Sequence, residues 1–117
     1  MSKLTIPQSA FEMAAQAVLA ALPAHIQYNL NGRLERGLAL AMEGAVMPYT
    51  DRGQPWQKNL YQVRSSNPYK PPFSYLVDLD ALTCECPDFE KGHCCKHLLA
   101  CQITEQAKLE ALAMRPF

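Results

Sequence analysis

The sequence carries no surplus of charge. Eleven lysines and arginines balance eleven aspartates and glutamates over 117 residues, with four of each sign in residues 1–57 and seven of each in 58–117. That excludes the strongly basic footprint of a dedicated nucleic-acid binder, so any phosphate-binding surface has to come from local clustering. No apolar run resembles a secretory leader or a membrane span, because Gln8, Glu12 and Gln16 interrupt the first candidate. There is no internal repeat, no low-complexity tract, no phosphate-binding loop and no Ser/His/Asp arrangement. Cysteine is absent before Cys84 and after Cys101. An odd count of five thiols, with no leader-like run, argues against a disulfide scaffold and leads us to expect a cytoplasmic location and metal.

What is present is concentrated in Thr83–Cys101, which reads TCECPDFEKGHCCKHLLAC and holds every cysteine and two of the three histidines. Cys84-x-Cys86 is followed, eight residues on, by Cys95-x-His97. Three sulfurs and an imidazole are a ligand set for a tetrahedral structural zinc, at about 2.3 Å for sulfur and 2.0 Å for nitrogen. On an extended strand residues two apart share a face, so Cys84 and Cys86 can converge while Glu85 turns away. Pro87, without an N–H, ends the ladder. Residues two apart on a helix lie nearly opposite each other, so Cys95 belongs in the turn before a helix and His97 in its first turn. Cys94, next door, is the alternative ligand, though the Cys-x-His spacing favours Cys95. Cys101 shares a helix face with His97 and reads more simply as a small buried apolar residue. A redox use of Cys94 and Cys101 is a minor further reading. Three thiolates, a neutral imidazole and Zn²⁺ leave one negative charge, which Lys91 and Lys96 are placed to offset.

This pattern resembles the SWIM zinc finger, with its Cys-x-Cys, variable gap and Cys-x-His. Here these read Cys-Glu-Cys-Pro-Asp-Phe, Gly92 and Cys-Lys-His-Leu-Leu-Ala. Tyr61-Gln-Val-Arg-Ser-Ser and Tyr75-Leu-Val-Asp-Leu look like the two strands that precede the ligands in that family, and Arg36-Gly-Leu and Gly44-Ala-Val resemble the lead-in segment. The resemblance covers roughly Leu34 to Ile103. It implies an α+β fold in which N-terminal helices precede a small antiparallel sheet and a C-terminal helix around one structural zinc per chain. It also implies nucleic-acid or protein binding, since similar domains occur in transposase-like, chromatin-remodelling and recombination-associated proteins.

The remaining stretches fit one compact unit made of a helical segment, 1–45, and a zinc-binding part, 46–117. Ser9-Ala-Phe-Glu12 has the form of a capping box, and Phe11, Ala14, Ala15, Val18 and Leu22 fall on one helical face. Pro23 closes that helix or starts the next. Ile26, Leu30, Leu34, Leu38 and Met42 suggest a second helix ending at Gly44, with Asn31-Gly32 as its weak point. Two core-packing helices are the simpler reading and a partner-docking first helix the sharper one. Val46 to Asn59 reads as loop, with Trp56 an anchor onto the core. Leu60–Ser65 and Phe73–Leu79 read as strands around a proline-rich connection, and Thr83–Cys86 as a short third strand. Beyond Thr104 only Leu109 and Leu112 mark an apolar side, on a solvated and fraying helix.

Four protein ligands leave no open metal position, and Asp88 and Glu90 beside a closed site have nothing to act on, so no enzyme and no small-molecule substrate is expected. Two binding functions remain. The first is a nucleic-acid module in which Lys58, Arg64, Lys70, Lys91 and Lys96 meet phosphates and Tyr69 or Phe73 stacks on bases. The second is an adaptor that docks onto a larger DNA-processing protein through the N-terminal helices. Neither involves a membrane.

Overall fold

The structure, a computed structural model, describes residues 6–50, 58–65, 67 and 69–114. The elements run α1 (Gln8–Ala21), α2 (Ala24–Tyr28), α3 (Arg33–Met42), β1 (Val46–Pro48), β2 (Leu60–Arg64), β3 (Ser74–Asp78), β4 (Thr83–Cys84), α4 (Pro87–Glu90) and α5 (Lys96–Ala113). The four strands form one antiparallel sheet in sequential order. The fold is therefore α+β, with helices leading into the sheet and a long helix closing it.

Several local expectations need correction. The N-cap of α1 is Pro7 and makes no side-chain cap bond. Gln8 Nε2 reaches Glu12 Oε1 at 2.8 Å, so the glutamate that would close a capping box is engaged elsewhere. The second helix breaks in two where expected to be weakest. Asn31 and Gly32 take left-handed backbone at φ 49° and 79°, and α3 starts afresh at Arg33. Val46–Pro48, expected to be loop, is an edge strand pairing with Tyr61–Val63. Its Pro48 sits at the end of an edge, where a missing N–H costs least. Trp56 lies outside the described residues.

Alternation along β2 and β3 buries Tyr61, Val63 and Val77 on one face, and the hairpin register sets Tyr61 opposite Val77 and Val63 opposite Tyr75. This face packs with Leu98, Ala100 and Cys101 of α5 and with the finger cysteines. The opposite side of α5 buries Leu99, Ile103 and Ala107 against Ala14 and Ala15 of α1 and Leu34 and Ala41 of α3. Full burial of a residue such as Leu99 or Ile103 contributes about 1.5–3 kcal/mol. One contact sets the approach of α3. A Cβ on Gly37 would stand 3.0 Å from Leu99 Cβ and 3.1 Å from the Lys96 carbonyl oxygen, so any side chain here would push α3 and α5 apart. Helix α5 is thus the central element of both clusters, and residues 6–45 share a core with the part that follows.

Beyond Thr104 the helix continues in a way the leucines misreport. Ala107 and Ala111 are the buried positions, while Leu109 and Leu112 are exposed by 61% and 53%. Small side chains let α1 lie close and leave the leucines outside.

Candidate metal centre

Cys84 ends β4 opposite Val77, and Glu85 N–H donates to the Leu76 carbonyl at 3.2 Å. That bond keeps the chain extended for one more residue, so Cys84 and Cys86 turn to the same side. Pro87 then begins the one-turn helix α4 at a position where its missing N–H is no loss. Cys86 is the N-cap of this turn and its Sγ accepts the Phe89 N–H at 3.4 Å. The second half-site repeats the device. Cys95 is the N-cap of α5 and its Sγ accepts the Leu98 N–H at 3.4 Å, with His97 in the first turn. Each cysteine takes the place of the usual Ser or Asp cap, and each sulfur receives an amide that favours its anionic form.

The ligand atoms of Cys84, Cys86, Cys95 and His97 all lie within 4.8 Å of one another and all four residues are buried. A tetrahedral zinc with bonds of about 2.3 Å asks for sulfurs about 3.8 Å apart, so the cluster has the right size. The imidazole gives an independent sign of fit. His97 is 4% exposed, stacks obliquely on Tyr75 at 4.8 Å between centroids, and has no partner on either ring nitrogen outside the cysteine cluster among the described residues, where the Cys95 sulfur faces it. A buried polar atom left unpaired costs about 1–3 kcal/mol, and a metal bond from one nitrogen removes that cost for it. The thiols already share protons unequally. Hydrogen bonding from Cys84 holds Cys95 down at about 4, against burial that acts to raise it. Cys84 is raised, first by that same bond, and Cys86 is raised by burial. A divalent cation at the centre would convert all three to thiolates.

The neighbouring thiols take other places. Cys94 is half-buried, packs at the edge of both core clusters and lies outside the four-atom group. Cys101 is fully buried in the sheet-side core, where desolvation drives its thiol well above the ordinary range. His93 is exposed.

Asp88 does not stand idle beside the cluster. Its carboxylate takes a two-pronged bond from Arg33, Nε to Oδ2 at 2.7 Å and Nη2 to Oδ1 at 2.9 Å. This hydrogen bonding holds the Asp88 carboxyl below, and the Arg33 guanidinium above, its usual range. Arg33 Nη1 also donates to the carbonyls of Asn29 and Leu30, both at 3.0 Å. One side chain, 11% exposed, thereby ties the end of α2 and the start of α3 to the turn that carries Cys86. Sequence reading missed it, because nothing local marks a contact across 55 positions.

The candidate phosphate contacts do not form one surface. Arg64 ends β2 and Lys70 sits in the β2–β3 connection, both exposed. Lys96 lines a cavity of about 210 Å³ beside His97 with Tyr75 and Arg36, a basic residue the sequence reading did not single out. Lys58 precedes β2 at the opposite end of that strand from Arg64, and Lys91 lies on the finger turn. Arg64 is not unopposed, since Glu43 Oε1 stands 3.7 Å from its Nη2, with both side chains more than half exposed.

A family model described as SWIM zinc finger matches residues 75–100, from β3 into α5, and leaves the N-terminal helices outside. The search of curated proteins found no match, nor did the search of solved structures. No helix among the described residues is long and apolar enough to cross a membrane. The matched segment, the closed Cys₃His cluster and the strand–turn–helix frame around it agree: residues 75–100 carry a SWIM-type zinc finger whose Cys84, Cys86, Cys95 and His97 are arranged to hold one structural zinc.

Proposed function

We propose that the zinc-bound protein is a binding module that holds nucleic acid weakly and with little sequence preference, at the end of the sheet carrying the β2–β3 connection. The observation that carries this reading is the exposure of two aromatics there, Tyr69 at 92% and Phe73 at 56%, beside Lys70 and Arg64. Exposed rings flanked by cations suit bases stacked on a π-face with phosphates alongside. The Ser65 N–H bond to the Phe73 carbonyl, 2.8 Å, fixes the base of the connection. Lys58 lies at the other end of β2, Lys91 on the finger turn and Lys96 beside His97. Net neutrality and the weak Glu43 contact keep the affinity modest. Four protein ligands complete a tetrahedral zinc, which favours binding over catalysis. Five free thiols suit a reducing compartment such as the cytoplasm.

The test is fluorescence anisotropy of the zinc-loaded chain with single- and double-stranded oligonucleotides over a salt series. Three phosphate contacts give a log–log slope of about −2 on single strands and about −3 on duplex. Arg64→Glu with Lys70→Glu should flatten it and leave zinc content unchanged, and Tyr69→Ala should weaken single-strand binding at least about fivefold. Affinity indifferent to salt and to both changes would reject the surface. The alternative, an adaptor for a larger DNA-processing protein, draws on an apolar groove elsewhere on the molecule.

A further inference from the structure

A groove of about 970 Å³ runs along α5 between the margins of the two core clusters. Its floor is one face of that helix: Leu98, Gln102, Glu105 and Leu109, spaced by four, three and four residues. One wall is the end of α1 with Pro23 and Ile26, and the other is the β3–β4 turn with the finger segment from Phe89 to Cys94. We infer that this groove receives an amphipathic α-helix of another protein, with an apolar stripe facing α5 and a basic residue beside it. This deepens the adaptor reading and does not depend on nucleic-acid binding.

Shape and charge each restrict the occupant. The floor from Leu98 to Leu109 is about 16 Å long, three turns of helix, and its spacing is that of a coiled-coil seam. A seam of this kind takes side chains from a helix at positions i, i+3 or i+4, and i+7. Glu105 is the one Asp, Glu, Lys or Arg on the lining among the described residues. It accepts a bond from Tyr61 Oη, and its partner across the helix turn, Lys108 at 3.1 Å, is an exposed i,i+3 contact of little strength. A cation on the occupant meets Glu105, while the lining among the described residues offers no Lys or Arg to hold nucleic acid or an acidic segment. At the mouth, Leu82 is 52% exposed and held at φ 56°, a left-handed conformation that costs a leucine energy and is retained here with its side chain presented to the groove. A second copy fits poorly, because a twofold contact would set concave surface against concave surface.

The probe is a phage-displayed library of random peptides of about four helical turns, selected on the zinc-loaded full-length chain. Enriched peptides should show apolar residues at helical spacing and at least one Lys or Arg, and should gain helicity on binding. Leu109→Asp, at an exposed position, should lower their affinity about tenfold without loss of zinc, and Glu105→Gln should lower it about threefold. Arg64→Glu with Lys70→Glu should leave it unchanged, so failure of the nucleic-acid reading and failure of this one are told apart. Extended or acidic peptides that still depend on Leu109 would leave an adaptor but overturn the helix. No enrichment over the Leu109→Asp chain would overturn docking at the groove, and a dimer dissolved by Leu109→Asp would make the occupant a second copy.

Discussion

The two covered sides of α5 are held by different physics. Toward the sheet, the helix meets Tyr61, Val63, Val77 and the cysteines, where the contacts are large side chains and a metal cluster. Toward α1 and α3 it meets Ala14, Ala15, Leu34 and Ala41 and the bare backbone of Gly37, where close approach accompanies apolar packing. The first side depends on a metal cluster and the second on the close approach of α3 at Gly37. The sheet side is therefore sensitive to chelation and the helical side to added volume.

The largest expected effect breaks the sheet side. Removing zinc with a strong chelator, or replacing Cys95 by Ser, should unfold at least the C-terminal half, because metal binding supplies on the order of 10 kcal/mol to small zinc domains. Loss of tertiary signal and of one zinc per chain is the readout, and an apo protein with an unchanged melting transition would contradict it. Cys94→Ser and Cys101→Ser should both keep the metal, although burying a hydroxyl in place of the Cys101 thiol should lower stability by about 1–2 kcal/mol.

The next change breaks the other side. Gly37→Ala puts a methyl 3.0 Å from Leu99 Cβ and 3.1 Å from a backbone carbonyl, neither of which can swing away. A cost of about 1–3 kcal/mol is expected from such overpacking, with zinc stoichiometry intact. Denaturant midpoints together with metal content separate this outcome from the first. If Gly37→Ala released zinc, the two sides would not be independent.

A third experiment concerns the side chain that joins them. Arg33→Met and Asp88→Asn, alone and together, should give a coupling of about 1 kcal/mol, kept low because Asp88 is 37% exposed. The single variants should also speed zinc transfer to a chelator by a few fold, since the turn holding Cys86 loses its brace. Coupling near zero with unchanged transfer would reduce Arg33 to a local link between α2 and α3. The smallest effect is expected at Leu112, exposed on the uncovered side, where Leu112→Gln should change stability by no more than about 0.5 kcal/mol.

These contrasts also explain what could be read from the chain. The metal cluster was legible because ligand chemistry demands cysteine and histidine at short, fixed spacing, so Cys84, Cys86, Cys95 and His97 announce themselves locally. The β2–β3 hairpin was legible for a similar reason, as its alternation needs only neighbouring residues. Gly37 was not, since a close approach by a helix far along the chain leaves no local mark. The C-terminal half of α5 read as a solvated helix, and its leucines are exposed, but its buried side went unseen because Ala107 and Ala111 rather than large residues form it. β1 was missed because a three-residue edge ending in proline has too little alternation to show.

The position of α5 in the chain has a consequence for biosynthesis. α1 and α3 bury their apolar faces on residues roughly sixty positions downstream of Met42. At about 5–20 residues per second, the ribosome leaves those faces uncovered for about 3–12 s. Nascent chains stalled before Lys96 should therefore be cut by protease within α1, and chains stalled far enough beyond Ala113 to clear the exit tunnel should resist. The order of the two halves makes the helical segment a temporary client of whatever guards emerging chains, and zinc supply then sets when that guardianship ends.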